Sequence, residues 1–173
     1  MSQFESFAAY FGRLITFADF AWIGVLMIPA FALRKPLSQV LKVSRRRFLL
    51  IGLSFACVFG LSLRFWVASG TLSIFWLVAP EVWSAGWQLN ANFVLNVALY
   101  IPPAVLLVLA RKSWWKVSLF LIAMSFSVET LQQFTRIGSG DPFDWFANSL
   151  GANIGVIVGV VVARFWPALA EKR

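Results

Sequence analysis

Long apolar runs divide the chain, and nothing constrains its fold more. About five of them approach the ~20 apolar residues that a helix needs to cross a bilayer. They are Leu14 to Leu33, Phe48 to Ala68, Asn92 to Ala110, Val117 to Phe134 and Trp145 to Trp166. In hydrocarbon each backbone N–H and C=O must be satisfied within the protein, so runs of this length are read as helices. The expected fold is all-α: an integral membrane bundle of about five transmembrane helices, forming one domain over residues 1–173. Only 13% of the residues are charged and 60% are hydrophobic, against about 25% charged in a soluble domain.

Composition removes several chemistries. The chain has no His, and its one Cys, Cys57, lies in an apolar run. His-based catalysis, a metal centre and an internal disulfide are therefore not expected, and no cofactor is implied. A net charge of +8 would point to nucleic acid in a soluble protein. Here most positive residues fall in short loops, where they read as topology signals, so nucleic acid is not an expected partner and membrane lipids are.

Arg34, Lys35, Lys42, Arg45, Arg46 and Arg47 follow the first run with no acidic residue among them; Arg111, Lys112 and Lys116 follow the third, and Lys172 and Arg173 the fifth. The positive-inside rule places all three regions in the cytoplasm, the N-terminus outside and the C-terminus inside. Ala30-Phe31-Ala32 looks like a signal cleavage site. Cleavage there would invert every later span, and Asp19 suits a signal peptide poorly, so the first run is kept as a span. Two stretches are open to a second reading. Thr71 to Gln88, aromatic and broken by Pro80 and Glu81, is either a re-entrant or interfacial segment or an ordinary aromatic outer loop. Leu37, Val40 and Leu41 have helical spacing, so the first basic loop is either a topology signal alone or a segment lying on the anionic leaflet.

With that topology the polar residues inside the runs fall in the outer half: Asp19, Arg64, Asn92 and Asn96, Glu129 with Gln132 and Gln133, and Asn148, with Asp144 just before the fifth span. Intramembrane charge is costly and is expected to face other polar groups or water. Ser125, Glu129, Gln132, Gln133 and Arg136 make one helical stripe, and Asp144 and Asn148 share a face. Ala147, Gly151, Gly155, Gly159 and Ala163 repeat every fourth residue, a small-residue ridge that allows close helix packing, within the bundle or between protomers in an oligomer. Pro102 and Pro103 interrupt the third run. Their effect is either a tolerated kink or the release of the Ala98 and Leu99 carbonyls into a cavity near Asn96.

Glu129-Thr-Leu-Gln132, then Asp144, then Asn148-Ser-Leu-Gly151 and Gly155 resemble the VanZ-like family. Asn96-Val-Ala-Leu-Tyr-Ile-Pro102 is similar to its other recurrent motif. The resemblance covers about Asn92 to Val162. It makes 92–166 the VanZ-like core and 1–91 a unit of N-terminal spans and outer aromatic segment, with the first span an extension of the usual four-helix bundle. Two positions depart from the family pattern: Pro103 stands where Gly is usual, and Gly138 where the loop arginine usually lies, with Arg136 two positions earlier. The resemblance implies a bacterial inner-membrane, multi-pass protein. The family's founding member is linked to low-level teicoplanin resistance, and the family has no established reaction.

Several functions are compatible with these residues. In the leading one, an exofacial polar cleft binds a cell-envelope lipid, lipid-linked precursor or glycopeptide-like ligand. Asp19, Arg64, Asn96, Glu129, Gln132, Gln133, Arg136, Asp144 and Asn148 would line it. The arginines would meet phosphate or carboxylate groups, and Glu129 and Asp144 would orient them or contact sugar hydroxyls. In a second, an enzyme acts on a lipid-linked intermediate using Glu129 and Asp144, with Glu129 as general base or acid and Asp144 held ionised. The others are a small transporter and a structural subunit whose ion pairs only set helix register.

Overall fold

The computed structural model describes residues 17–63, 91–110, 112–135 and 140–170. Arg64, Arg111, Arg136, Lys172, Arg173 and the segment Thr71 to Gln88 lie outside them. The described chain forms α1 (Phe17–Ala32), α2 (Arg34–Leu41), α3 (Arg45–Ser62), α4 (Ala91–Leu109), α5 (Trp114–Thr135), α6 (Pro142–Phe165) and a closing 3-10 turn, Pro167–Leu169. No strand occurs among the described residues.

Three helices, α4, α5 and α6, are long and apolar enough to cross a membrane. A fourth span results if α1 and α2, which meet at 71°, count as one bent unit. The sequence pattern led to an expectation of about five. The difference lies in α3, whose first turn is Arg45, Arg46 and Arg47; the apolar run expected to complete it leaves the described residues after Leu63.

Local chemistry explains the helix ends. The basic loop is itself helical over α2, with Leu37, Val40 and Leu41 exposed. α2 ends on Lys42 in the left-handed conformation, at φ 54° and ψ 47°. Lys42 N–H donates to the Gln39 carbonyl at 3.1 Å and Val43 N–H to the Ser38 carbonyl at 3.0 Å, the paired bonds of a Schellman cap. Ser44 then caps α3 by accepting from Arg47 N–H at 3.3 Å. At α6, Asp141 accepts from Phe143 N–H at 2.8 Å and Pro142 takes the first helical position, where no donor is lost. This start precedes the expected one at Trp145, so Asp144 lies inside the helix, in its first turn, and not before it. α4 runs without a break through Pro102 and Pro103, correcting the expected interruption. Pro103 is fully buried, whereas Ala98, four residues before Pro102, is exposed rather than turned into the bundle.

α4 and α6 form the most extensive helix pair, and the small-residue ridge makes it possible. A Cβ built on Gly151 would stand 2.1 Å from the Val97 carbonyl oxygen, and one on Gly155 would stand 2.6 Å from that of Ile101. Gly159 meets Val105 and Val108. The contacts advance four residues at a time on both helices, so α4 and α6 run parallel. The ridge is taken up within the chain, which leaves other faces for any contact between copies. α5 runs antiparallel to α6, joined by Ser118 Oγ to Asn153 Oδ1 at 2.8 Å. Val58, Tyr100, Ala104, Val108, Leu121 and Val156 belong to the core between α3, α4, α5 and α6. α1 packs antiparallel on α3, with Ile23 against Gly60 and Ala30 against Gly52.

One end of the bundle is basic. Arg47 donates to the Leu109 carbonyl at 3.1 Å and to the Leu169 carbonyl at 2.6 Å. Lys112 Nζ donates to the Leu41 carbonyl at 3.1 Å. Each cation satisfies C-terminal carbonyls that lack a helical donor, so residues expected as topology signals also bind three chain ends together.

Gly151→Ala is expected to lower the thermal unfolding midpoint in detergent, with a cost of about 1–3 kcal/mol from overpacking. Gly24→Ala has nothing within 4 Å of the new methyl group and should leave the midpoint unchanged or raise it. Equal effects at the two positions would show that the close α4–α6 approach is not limiting.

Candidate functional site

The polar groups gather at the opposite end, around Glu129. This carboxylate is 3% exposed. Its Oε2 accepts from Asp141 N–H at 3.0 Å, and its Oε1 from Asn148 Nδ2 at 3.4 Å. The first bond closes the α5–α6 connection. Gly140 permits it, because a Cβ there would stand 2.5 Å from the Glu129 carbonyl oxygen.

The α5 stripe forms as the spacing predicted. Ser125, Glu129 and Gln132 are buried on one face. Gln132 Nε2 donates to the Ser62 carbonyl at 2.6 Å, satisfying a carbonyl at the end of α3. Gln133 is half-buried behind Gly140. On α6, Asn148 is buried and Asp144 half-buried. Asp144 accepts from Asn92 Nδ2 at 3.0 Å, and Asn96 engages the same carboxylate. Glu129, Asp141 and Asp144 lie near enough to repel one another.

Four side-chain atoms in this neighbourhood are buried with no hydrogen-bond partner among the described residues: Tyr100 OH, Ser125 Oγ, Gln132 Oε1 and Asn148 Oδ1. The Tyr100 and Ser125 hydroxyls face each other beside Glu129 without meeting hydrogen-bond geometry. An unsatisfied buried polar group costs about 1–3 kcal/mol, so several around one carboxylate form an expensive arrangement. Among the described residues no group of three or more His, Cys, Asp or Glu side chains could hold a metal ion.

The structure thus brings together Asn96, Glu129, Gln132, Asp144 and Asn148, with Gln133 at the edge. Asp19 is fully buried at the same end but on α1, in the half of the bundle built on α3. Arg64 and Arg136 lie outside the described residues. Ala147, Gly151, Gly155 and Gly159 pack helices, as expected. Asn92, Tyr100 and Asp141 were not among the expected site residues. A signal for the first two was present: Asn92, Asn96 and Tyr100 recur every fourth residue and make one stripe on α4.

A VanZ/LLP1 family model matches residues 16–163, most of the chain. The chain belongs to the VanZ/LLP1 family. No curated protein and no solved structure shows significant similarity to it. The match starts ahead of α1, so the family region takes in every described helix except the last residues of α6. This extends the resemblance well beyond Asn92 to Val162 and makes α1 part of the family region rather than an addition. With its apolar helices, the VanZ/LLP1 chain is a membrane protein.

Tyr100→Phe and Ser125→Ala each remove a buried atom that has no partner. Each is expected to raise the unfolding midpoint of the purified protein, by roughly 1 kcal/mol in stability. Asn148→Ala, which removes a bond to Glu129, should lower it. A loss of stability in Tyr100→Phe would show that its hydroxyl has a structural partner.

Proposed function

We propose that this VanZ/LLP1 protein is a multi-pass protein of the bacterial inner membrane, with its carboxylate end at the outer surface and its basic end in the cytoplasm. At the outer end it binds the polar head of a cell-envelope lipid or a glycopeptide-like ligand, in a role in envelope maintenance or glycopeptide resistance. One observation carries this reading: a buried carboxylate, Glu129, stands among four polar atoms that lack partners among the described residues, and its charged neighbours among those residues are acidic. A bundle that needed polar groups only to set helix register would gain by satisfying them. Asp144, Asn92 and Asn96 form the half-buried rim through which a headgroup would enter, and Arg64 and Arg136 are the candidates for its phosphate. Positive-inside topology supports the orientation, since every described lysine and arginine lies toward the other end.

Glu129→Gln keeps an oxygen to accept the Asp141 N–H while removing the charge. In cells whose teicoplanin tolerance depends on the protein, this variant should accumulate to normal levels and lose that tolerance. Normal levels with unchanged tolerance would sink the functional role of the carboxylate. Orientation is tested separately in a Cys57→Ala background. A membrane-impermeant maleimide should label Thr135→Cys, exposed at the carboxylate end, and spare Ser113→Cys, exposed at the basic end.

A further inference from the structure

The unpartnered atoms also say which kind of group fits the site. Both amides are oriented by an oxygen partner. Asn148 Nδ2 faces the Glu129 carboxylate and Gln132 Nε2 faces the Ser62 carbonyl, so Asn148 Oδ1 and Gln132 Oε1 are acceptors, and both lack donors. Each Glu129 oxygen takes one donor and has capacity for another. The Tyr100 and Ser125 hydroxyls accept or donate as needed. The Asn148 and Gln132 bonds use one N–H of each amide, so the unfilled acceptors outnumber the donors left over, beside the Glu129 carboxyl group. Among the described residues no lysine or arginine pairs with Glu129, Asp141 or Asp144.

We infer that the Glu129 cluster, formed with Tyr100, Ser125, Gln132 and Asn148, takes a primary ammonium group, from a phospholipid headgroup or an amino sugar. An ammonium brings three N–H donors, no acceptor and one positive charge, which matches an acceptor-rich site around a carboxyl group that no described lysine or arginine pairs with. A phosphate or carboxylate would add repulsion from Glu129 and Asp144. A divalent metal ion would want more carboxylates than face this point. Burial is graded, from the half-buried rim of Asn96 and Asp144 to the closed floor of Tyr100 and Ser125. A quaternary ammonium, with no N–H, would leave the same acceptors unfilled.

This inference rests on the proposed envelope-ligand site and narrows its chemistry. The test uses the full-length protein in nanodiscs that contain phosphatidylethanolamine, phosphatidylcholine with the same tails, or phosphatidylglycerol. Lipid retention is read by native mass spectrometry and stability by thermal unfolding, with glucosamine and sodium chloride added as separate arms. The expected result is at least tenfold preferential retention of phosphatidylethanolamine, or a midpoint rise with glucosamine if the ammonium is that of a sugar. Tyr100→Phe, which breaks no existing bond, should fold normally and lose most of the preference, and Glu129→Gln should abolish it. Retention of phosphatidylcholine or phosphatidylglycerol to the same degree would overturn the ammonium while leaving an envelope-lipid site intact. No lipid or sugar binding at all would overturn both. Stabilisation by sodium alone, or a preference unchanged in both variants, would also overturn the ammonium.

Discussion

The site depends on how closely α6 lies against α4. With glycine at 151 and 155, the α6 backbone approaches the Val97 and Ile101 carbonyls so nearly that no side chain fits between them. Membrane helices gain little from apolar burial against each other, so such close packing holds the pair together. Because the contact advances in step on both helices, it also fixes register. That register sets Asn92 and Asn96 beside Asp144, and brings the Tyr100 hydroxyl level with Ser125 and Glu129. A pair held apart by larger side chains would separate the two amide-bearing stripes and dissolve the cluster.

The two ends of the bundle handle polarity differently. At the basic end, Arg47 and Lys112 fill carbonyls that helix termini leave open, and the bonds need nothing beyond the chain. At the carboxylate end, the bonds that do form, from Asp141 N–H to Glu129 and from Gln132 to Ser62, tie α5 to its neighbours and hold Glu129 in place. The atoms beyond them lack donors. Positioning and satisfaction are separated here, as in sites held ready for a group the protein does not itself contain.

Much of this was legible from residue spacing alone. Period and length place α4, α5 and α6 within a few residues. The i, i+4 pattern puts Ser125, Glu129 and Gln132 on one buried face and assigns Gly151, Gly155 and Gly159 to packing. Other features were hidden for physical reasons. The 71° turn between α1 and α2 has no glycine at the break, and Lys42 takes a left-handed conformation usually left to glycine. Tyr100 sits in an apolar run where a ring reads as core; only its place in register with Asn92 and Asn96 marks it as polar. Asp144 fell outside its helix because the apolar run begins only at Trp145, whereas Asp141 and Pro142 supply the cap and first helical residue.

The partners of Glu129 matter most for what the site can do. Counting charges predicts that intramembrane acids meet Arg64 and Arg136. Arg64 and Arg136 lie outside the described residues, and among the described ones Glu129 meets an amide and a backbone N–H, and Asp144 meets asparagine amides. An internal ion pair would neutralise the acid and leave it little reason to bind anything else, since opening a buried pair exposes both charges to desolvation cost. Amide partners orient a carboxylate without neutralising it. Each bond takes one amide N–H and turns the amide oxygen the other way, so each bond that positions Glu129 or braces α3 also leaves an acceptor in the buried neighbourhood. The acceptor-rich character of the described residues at this end therefore follows from the way the helices are joined, and a ligand that supplies donors and positive charge would complete bonds that the fold has already oriented.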